Sequence, residues 1–121
     1  MGYRSAVAYI IKFKDAAQRE QFEELVKHRG NEHMIQALDE LDKKDYYLVA
    51  QFDNVKWYES YDDVASHHAL MEFARKVFPD DTAWRFVRIG EEIDDVEETG
   101  DDPQCVLIDT LYAVRSIHLD I

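Results

Sequence analysis

The stretch Arg88–Asp102, RIGEEIDDVEETGDD, concentrates the chemistry available to this chain. Within twelve residues it places eight carboxylates: Glu91, Glu92, Asp94, Asp95, Glu97, Glu98, Asp101 and Asp102. No basic residue stands among them. Carboxylates clustered in this way can chelate a hard divalent cation, meet a basic protein surface where phosphate would otherwise sit, or simply form a solvated loop. The calcium-loop pattern needs a central glycine and a terminal glutamate. Here Gly100 follows most of the acids, so no metal ligands are assigned.

Charge favours the partner surface among the functional uses. The chain has 14 Lys and Arg against 26 Asp and Glu, a net charge of −12. The acidic block supplies eight of these negative charges, which leaves −4 for the rest. Such a field repels phosphate, so direct binding to nucleic acid or to an anionic membrane surface is disfavoured. A protein with a basic surface is the partner that this charge fits.

Three arginines, Arg4, Arg88 and Arg115, fall within or beside strand-like runs. They are candidate structural ion pairs, and Arg88 and Arg115 are expected to form bidentate contacts with Glu91, Glu92 or Asp94. Trp57, Tyr58 and Tyr61 cluster beside Lys56. They suit either the core or an exposed platform, and Trp57 and Tyr58 join the carboxylates as candidate partner contacts.

Other chemistry lacks its patterns. There is no Gly-x-Ser-x-Gly, no HExxH and no CxxC, and the four glycines are isolated. Cys105 is the sole cysteine and sits in the apolar run CVLI, which suits a small core residue in a reduced, cytoplasmic protein. Asp63 and His67, four apart, share a helical face and suggest a surface carboxylate–imidazole pair. His67 and its neighbour His68 point about 100° apart on a helix and do not converge on one ion. No catalytic residue, metal or cofactor is assigned.

The elements that must position these groups follow from periodicity. Val7, Tyr9, Ile11 and Phe13 alternate as a strand does, so the N-terminal apolar run reads as a strand and not a signal peptide. Asp15 with Gln18 starts a helix whose face is Phe22, Leu25, Val26 and Arg29, closed by Gly30. Asn31 caps a second helix carrying Met34, Ile35, Leu38 and Leu41. After polar punctuation at Asp42–Asp45, Tyr46–Phe52 is an interior strand. Ser60 with Asp63 opens a third helix with a stripe of Leu70, Phe73, Ala74 and Val77, which Pro79 ends. Ala83–Gly90 is a further strand. CVLID and LYAVRSIHLDI form two short strands or one bent one. No apolar run approaches the ~18 residues of a membrane span.

This order predicts one α+β domain over residues 1–121: a mostly antiparallel sheet of four or five strands with about three helices on one face. A ferredoxin-like arrangement is the nearest template.

Four segments in one order, MGYRSAVA, VKWYESYDDV, FVRIGEEIDDVEETG and VRSIHLDI, resemble a group of small uncharacterised proteins encoded by tailed bacteriophages. Tyr3, Arg4, Lys56, Trp57, Tyr58, Arg88, Glu91, Glu92, Asp94, Asp95 and Arg115 match the shared pattern, whereas Asp15–Asp45 lies outside it. The resemblance implies an origin more than an activity. It also implies that Glu91, Glu92, Asp94 and Asp95 sit near Arg88, Arg115 or Arg4, with Glu97, Glu98, Asp101 and Asp102 standing in solvent. The resulting expectation is a cytoplasmic accessory protein that binds a host or phage protein through its acidic face, host nucleic-acid-handling or defence complexes being the target class. A metal-dependent enzyme built on the acidic loop, and a homo-oligomer with Trp57 and Tyr58 at a self-interface, are the alternatives.

Overall fold

The computed structural model describes residues 4–57, 61–92, 95–101, 111–113 and 117–119. Its order is β1 (Ser5–Lys12), α1 (Ala16–Arg29), α2 (Glu32–Asp39), β2 (Asp42–Lys44), β3 (Tyr47–Val55), α3 (Asp62–Val77), β4 (Ala83–Ile89), β5 (Val96–Gly100), β6 (Leu111–Ala113) and β7 (Ile117–Leu119). The main sheet is antiparallel, with strand order β2-β3-β1-β4-β5. The expected α+β architecture is the one found. Across β1 to β4, the order and connectivity are those of the ferredoxin-like β-α-β-β-α-β unit. The additions are α2 in the first crossover and β5 beyond β4.

β1 runs through the centre, which is why its sequence is apolar on both faces. Val7, Tyr9, Ile11 and Phe13 join Phe22 and Val26 of α1, Leu38 of α2 and Leu70 of α3 in the main core. Each large side chain buried there contributes about 1.5–3 kcal/mol. Ala8 and Ile10 project to the other face, where they meet Val49 and Val87. The β6–β7 hairpin lies against β4, β1 and β5. The helices already fill the first face, so this hairpin must cover the second. Within LYAVRSIHLDI, β6 and β7 pair antiparallel, with Leu111 opposite Leu119 and Ala113 opposite Ile117, while CVLID, with Cys105, lies outside the described residues.

Local signals place the helices. The Asp15 carboxylate accepts from Gln18 N–H at 2.8 Å, and Gln18 Oε1 accepts from Lys14 N–H at 2.9 Å. Asn31 Oδ1 accepts from Met34 N–H at 2.9 Å. Both are N-caps, each satisfying an amide that the first helical turn would leave open. At the end of α1, Gly30 donates to Val26 O, and a Cβ there would lie 2.6 Å from that oxygen. This close approach explains the glycine. Phe22 and Val26 are buried, but Arg29 is exposed and does not belong to the packed face.

Three expectations need correction. Asp42–Asp45 is more than punctuation, because Asp42–Lys44 is edge strand β2, in register with Tyr47–Val49. Its residues are all exposed, so it has no apolar alternation to reveal it. Asp45 takes the left-handed region (φ 51) in the tight turn, a conformation that Asp tolerates better than most residues. Buried Glu23 braces this edge by pairing with Arg19 at 2.5 Å and Lys43 at 2.7 Å. Second, α3 begins after Tyr61 with no side-chain cap, and Ser60 lies outside the described residues. Third, the acidic block is not simply a loop: Val96–Gly100 is strand β5.

Candidate functional site: an ion-paired acidic hairpin

β4 and β5 pair antiparallel, with Arg88 opposite Glu97, Val87 opposite Glu98 and Arg85 opposite Gly100. On the other side of β4, Arg88 faces Val7 and Arg85 faces Ile10. Arg88 and Glu97 thus share the helix-covered face, while Arg85 and Glu98 share the opposite one. Because strand side chains alternate, the three-residue spacing of the arginines and the adjacency of the glutamates give each face one cation and one anion.

The contacts match this register. Arg88 makes a bidentate pair with Asp95, Nη2 to Oδ1 at 2.7 Å and Nη1 to Oδ2 at 3.1 Å. Its Nε donates to Glu97 at 3.2 Å and its Nη1 to Ser5 Oγ at 3.3 Å. The hydrogen bond to Asp95 does most to hold the guanidinium above its ordinary pKa; burial opposes the shift, and Glu97 adds to it. On the opposite face Arg85 donates to Glu98 at 3.0 Å and to the Asp101 carbonyl at 3.1 Å.

Asp101 clasps the hairpin's end. Its carboxylate accepts from Arg75 of α3 and from Trp84 N–H, the latter at 3.0 Å, while its own N–H donates to Trp84 O at 2.8 Å. Arg75 stacks over the Trp84 ring at 5.2 Å, adding a cation–π contact. Gly100 makes the approach to Trp84 possible: its φ is +102, and a Cβ would stand 2.4 Å from Trp84 O and 2.7 Å from the indole. The turn is closed by Gly90 N–H to Asp95 O at 2.8 Å and Asp95 N–H to Glu92 O at 3.1 Å.

The sorting of the carboxylates therefore differs from expectation. Asp95 does meet Arg88, but Glu97, Glu98 and Asp101, expected in solvent, are ion-paired. Glu91 and Glu92 are exposed at the turn. Arg4 is exposed at the start of β1. Asp94, Asp102, Tyr58 and Arg115 lie outside the described residues. The register explains part of the reversal: Glu97 comes opposite Arg88, and its neighbour Glu98 falls on the face of Arg85.

Of the two settings expected for Trp57, the core is the one observed. The indole is partly buried against the core, with its ring centroid 6.3 Å from Phe52, 5.6 Å from His67 and 5.9 Å from Phe86. His67 is not a surface residue. It is 2% exposed, and its Nδ1 lies 2.5 Å from the Tyr9 hydroxyl. The missed signal was spacing: His67 follows Val64 by three residues and precedes Leu70 and Met71 by three and four, all buried. The Asp63 side chain lies outside the description, so that expected pair is not placed.

Other sites are sparse. Among the described residues no group of three or more His, Cys, Asp or Glu is arranged to hold a metal ion, and no helix is long and apolar enough to cross a membrane. A groove of about 610 Å³ along α1, lined by Ala17, Gln21, Leu25 and Phe78, carries an exposed Glu24–His28 contact of 3.5 Å. Comparison of the chain with family models, with curated proteins and with solved structures finds no match.

Proposed function

We propose that this chain is a non-enzymatic accessory protein that docks onto a basic surface of another protein through the β4–β5 hairpin. The carrying observation is a charge imbalance on an ordered scaffold. Residues 91–102 hold eight carboxylates and no lysine or arginine, a local surplus of negative charge. The described part of this block is held on a hydrogen-bonded hairpin at the sheet edge, so less conformational freedom is lost on binding than with a free acidic tail. The field of the surplus also speeds encounter with a basic groove. On the resemblance to tailed-phage proteins, the setting is the host cytoplasm, and the target is a protein or defence complex that ordinarily grips nucleic acid.

The test is affinity capture from bacterial lysate at low and high salt, using the native protein and Glu91→Gln/Glu92→Gln. These exposed turn residues change the charge without altering Asp95, Glu97, Glu98 or Asp101, the carboxylates that Arg75, Arg85 and Arg88 engage. The expected result is a nucleic-acid-handling protein recovered at low salt by the native chain and depleted by the variant. Equal recovery by both proteins removes the acidic turn from recognition.

A further inference from the structure

On the helical layer, α1 and the end of α3 form an open groove of about 610 Å³. Six of its lining residues belong to α1: Ala17, Glu20, Gln21, Glu24, Leu25 and His28. They recur at the three- and four-residue spacing of a single helix face, and Phe78, the C-cap of α3, lines the groove with them. The stripe is about 16 Å long, three turns of helix.

The core beneath preorganises the apolar strip of this groove. The Phe22 ring of α1 lies 5.1 Å from Phe13 and 5.8 Å from Phe73 of α3, and Phe78 meets Phe13 edge-on at 6.5 Å. These contacts fix α1 against the end of α3 and hold Leu25 and Phe78 half-buried, beside Ala17.

The rim carries charge that the protein does not neutralise. Glu20 and Glu24 are both exposed. Among the described residues Glu20 has no ionic partner, and Glu24 meets only exposed His28, 3.5 Å away on the same helix. Arg19 turns elsewhere, to Glu23 and the Asp45 carbonyl. Lys27 flanks the stripe and pairs with neither carboxylate.

We propose that this groove docks a short amphipathic helix of another protein, one whose apolar stripe is flanked by lysine or arginine.

The backbone, the shape and the charge of the groove select that occupant. α1 spends its amides and carbonyls within the helix, so the groove offers side chains and no strand edge. An occupant must therefore satisfy its own backbone, as a helix does. The three-turn strip accepts apolar residues spaced i, i+4 and i+7 on the partner. Glu20 and Glu24, one turn apart, attract cations beside that stripe and repel an acidic helix. A second copy of this chain is a poorer occupant. Pairing two copies about the middle of the stripe would set Glu20 of one against Glu24 of the other.

The probe is a synthetic amphipathic helix of about four turns, with leucines on one face and lysines beside them. It is titrated into the isotope-labelled intact protein while amide shifts are followed. Two further peptides serve as controls, one with the same composition but scattered leucines and one with glutamates in place of the lysines. Shift changes should concentrate along residues 17–28 and around Phe78. The control peptides should bind at least about fivefold more weakly, the scale of two exposed ion pairs in the glutamate case. Glu20→Lys/Glu24→Lys alters only exposed positions, which spares the core, and should reverse the preference in favour of the glutamate peptide. Glu91→Gln/Glu92→Gln should leave the titration unchanged, which separates this groove from the acidic hairpin. Shift changes centred on Val96–Gly100, or equal binding of ordered and scattered leucines, would reduce the effect to general attraction and overturn the proposal. So would an unaltered lysine preference in the charge-reversed variant, or an α1 that does not respond to the peptide.

Discussion

Arg88 grips Asp95 with two parallel hydrogen bonds, 2.7 and 3.1 Å long, across the neck of the β4–β5 hairpin. The pair joins a strand residue to the last residue before the next strand, and Glu97 completes it on the same guanidinium. This contact braces the point at which the acidic segment enters strand β5.

Removing Arg88 should therefore do more than remove a charge. Arg88→Ala leaves Asp95 and Glu97 facing each other without a cation. The expected cost is about 1.5–3 kcal/mol, the range for hydrogen bonds to charged groups. Urea unfolding measures the loss, and amide exchange in Val96–Gly100 locates it. A loss below about 0.5 kcal/mol would place the pair among ordinary surface ion pairs.

Gly100→Ala attacks the other end. The substitution puts a Cβ against the Trp84 carbonyl and indole at a φ that disfavours side chains. A destabilisation of about 1–3 kcal/mol is expected, with altered Trp84 fluorescence as the Asp101 clasp shifts. A neutral effect on stability would contradict the close packing.

Much of the helical layer was legible in the sequence, because caps are local. Asp15 with Gln18, and Asn31 three residues before Met34, both make the hydrogen bonds that their spacing implies. β2 and β5 were not legible for a shared reason. Both are edge strands dominated by charged or polar residues, DKK and VEETG, and an edge strand is specified by its neighbour more than by its own alternation. The ion pairs were half legible. The bidentate use of Arg88 was foreseeable, but the choice among eight carboxylates depends on register, and register depends on β5. His67 was hidden by residue type, since its position on the buried stripe was clear while its polarity argued for the surface.

At high pH the buried Tyr9 phenol should limit stability. Its folded pKa lies above the unfolded value of about 10, so its contribution is complete below pH 10 and is lost as pH rises through the folded value. The slope above pH 10 should reach at most about 1.4 kcal/mol per pH unit for this one group. Tyr9→Phe should flatten that limb, at a cost of about 1 kcal/mol at pH 7 from the lost bond to His67. Thermal unfolding of both proteins from pH 7 to 11 gives the comparison, and identical alkaline limbs would exclude Tyr9 as the cause.

Truncation after Asp101 removes β6 and β7, uncovering the buried stripe of Ala8, Ile10, Val49 and Val87 on the second face of the sheet. The shortened chain should bind an apolar dye and self-associate, as exposed apolar sheet faces do. Sedimentation across a range of concentrations checks this. A dye-silent monomer would show that the hairpin is not the cover.

The most direct test of the acidic docking face is the association rate of the captured partner, measured from low to physiological salt for the native protein and for Glu91→Gln/Glu92→Gln. Electrostatic steering predicts a native rate that falls steeply with salt, and a variant that is slower at low salt with a flatter dependence. Superimposable rates and slopes for the two proteins would contradict recognition through the hairpin's surplus charge.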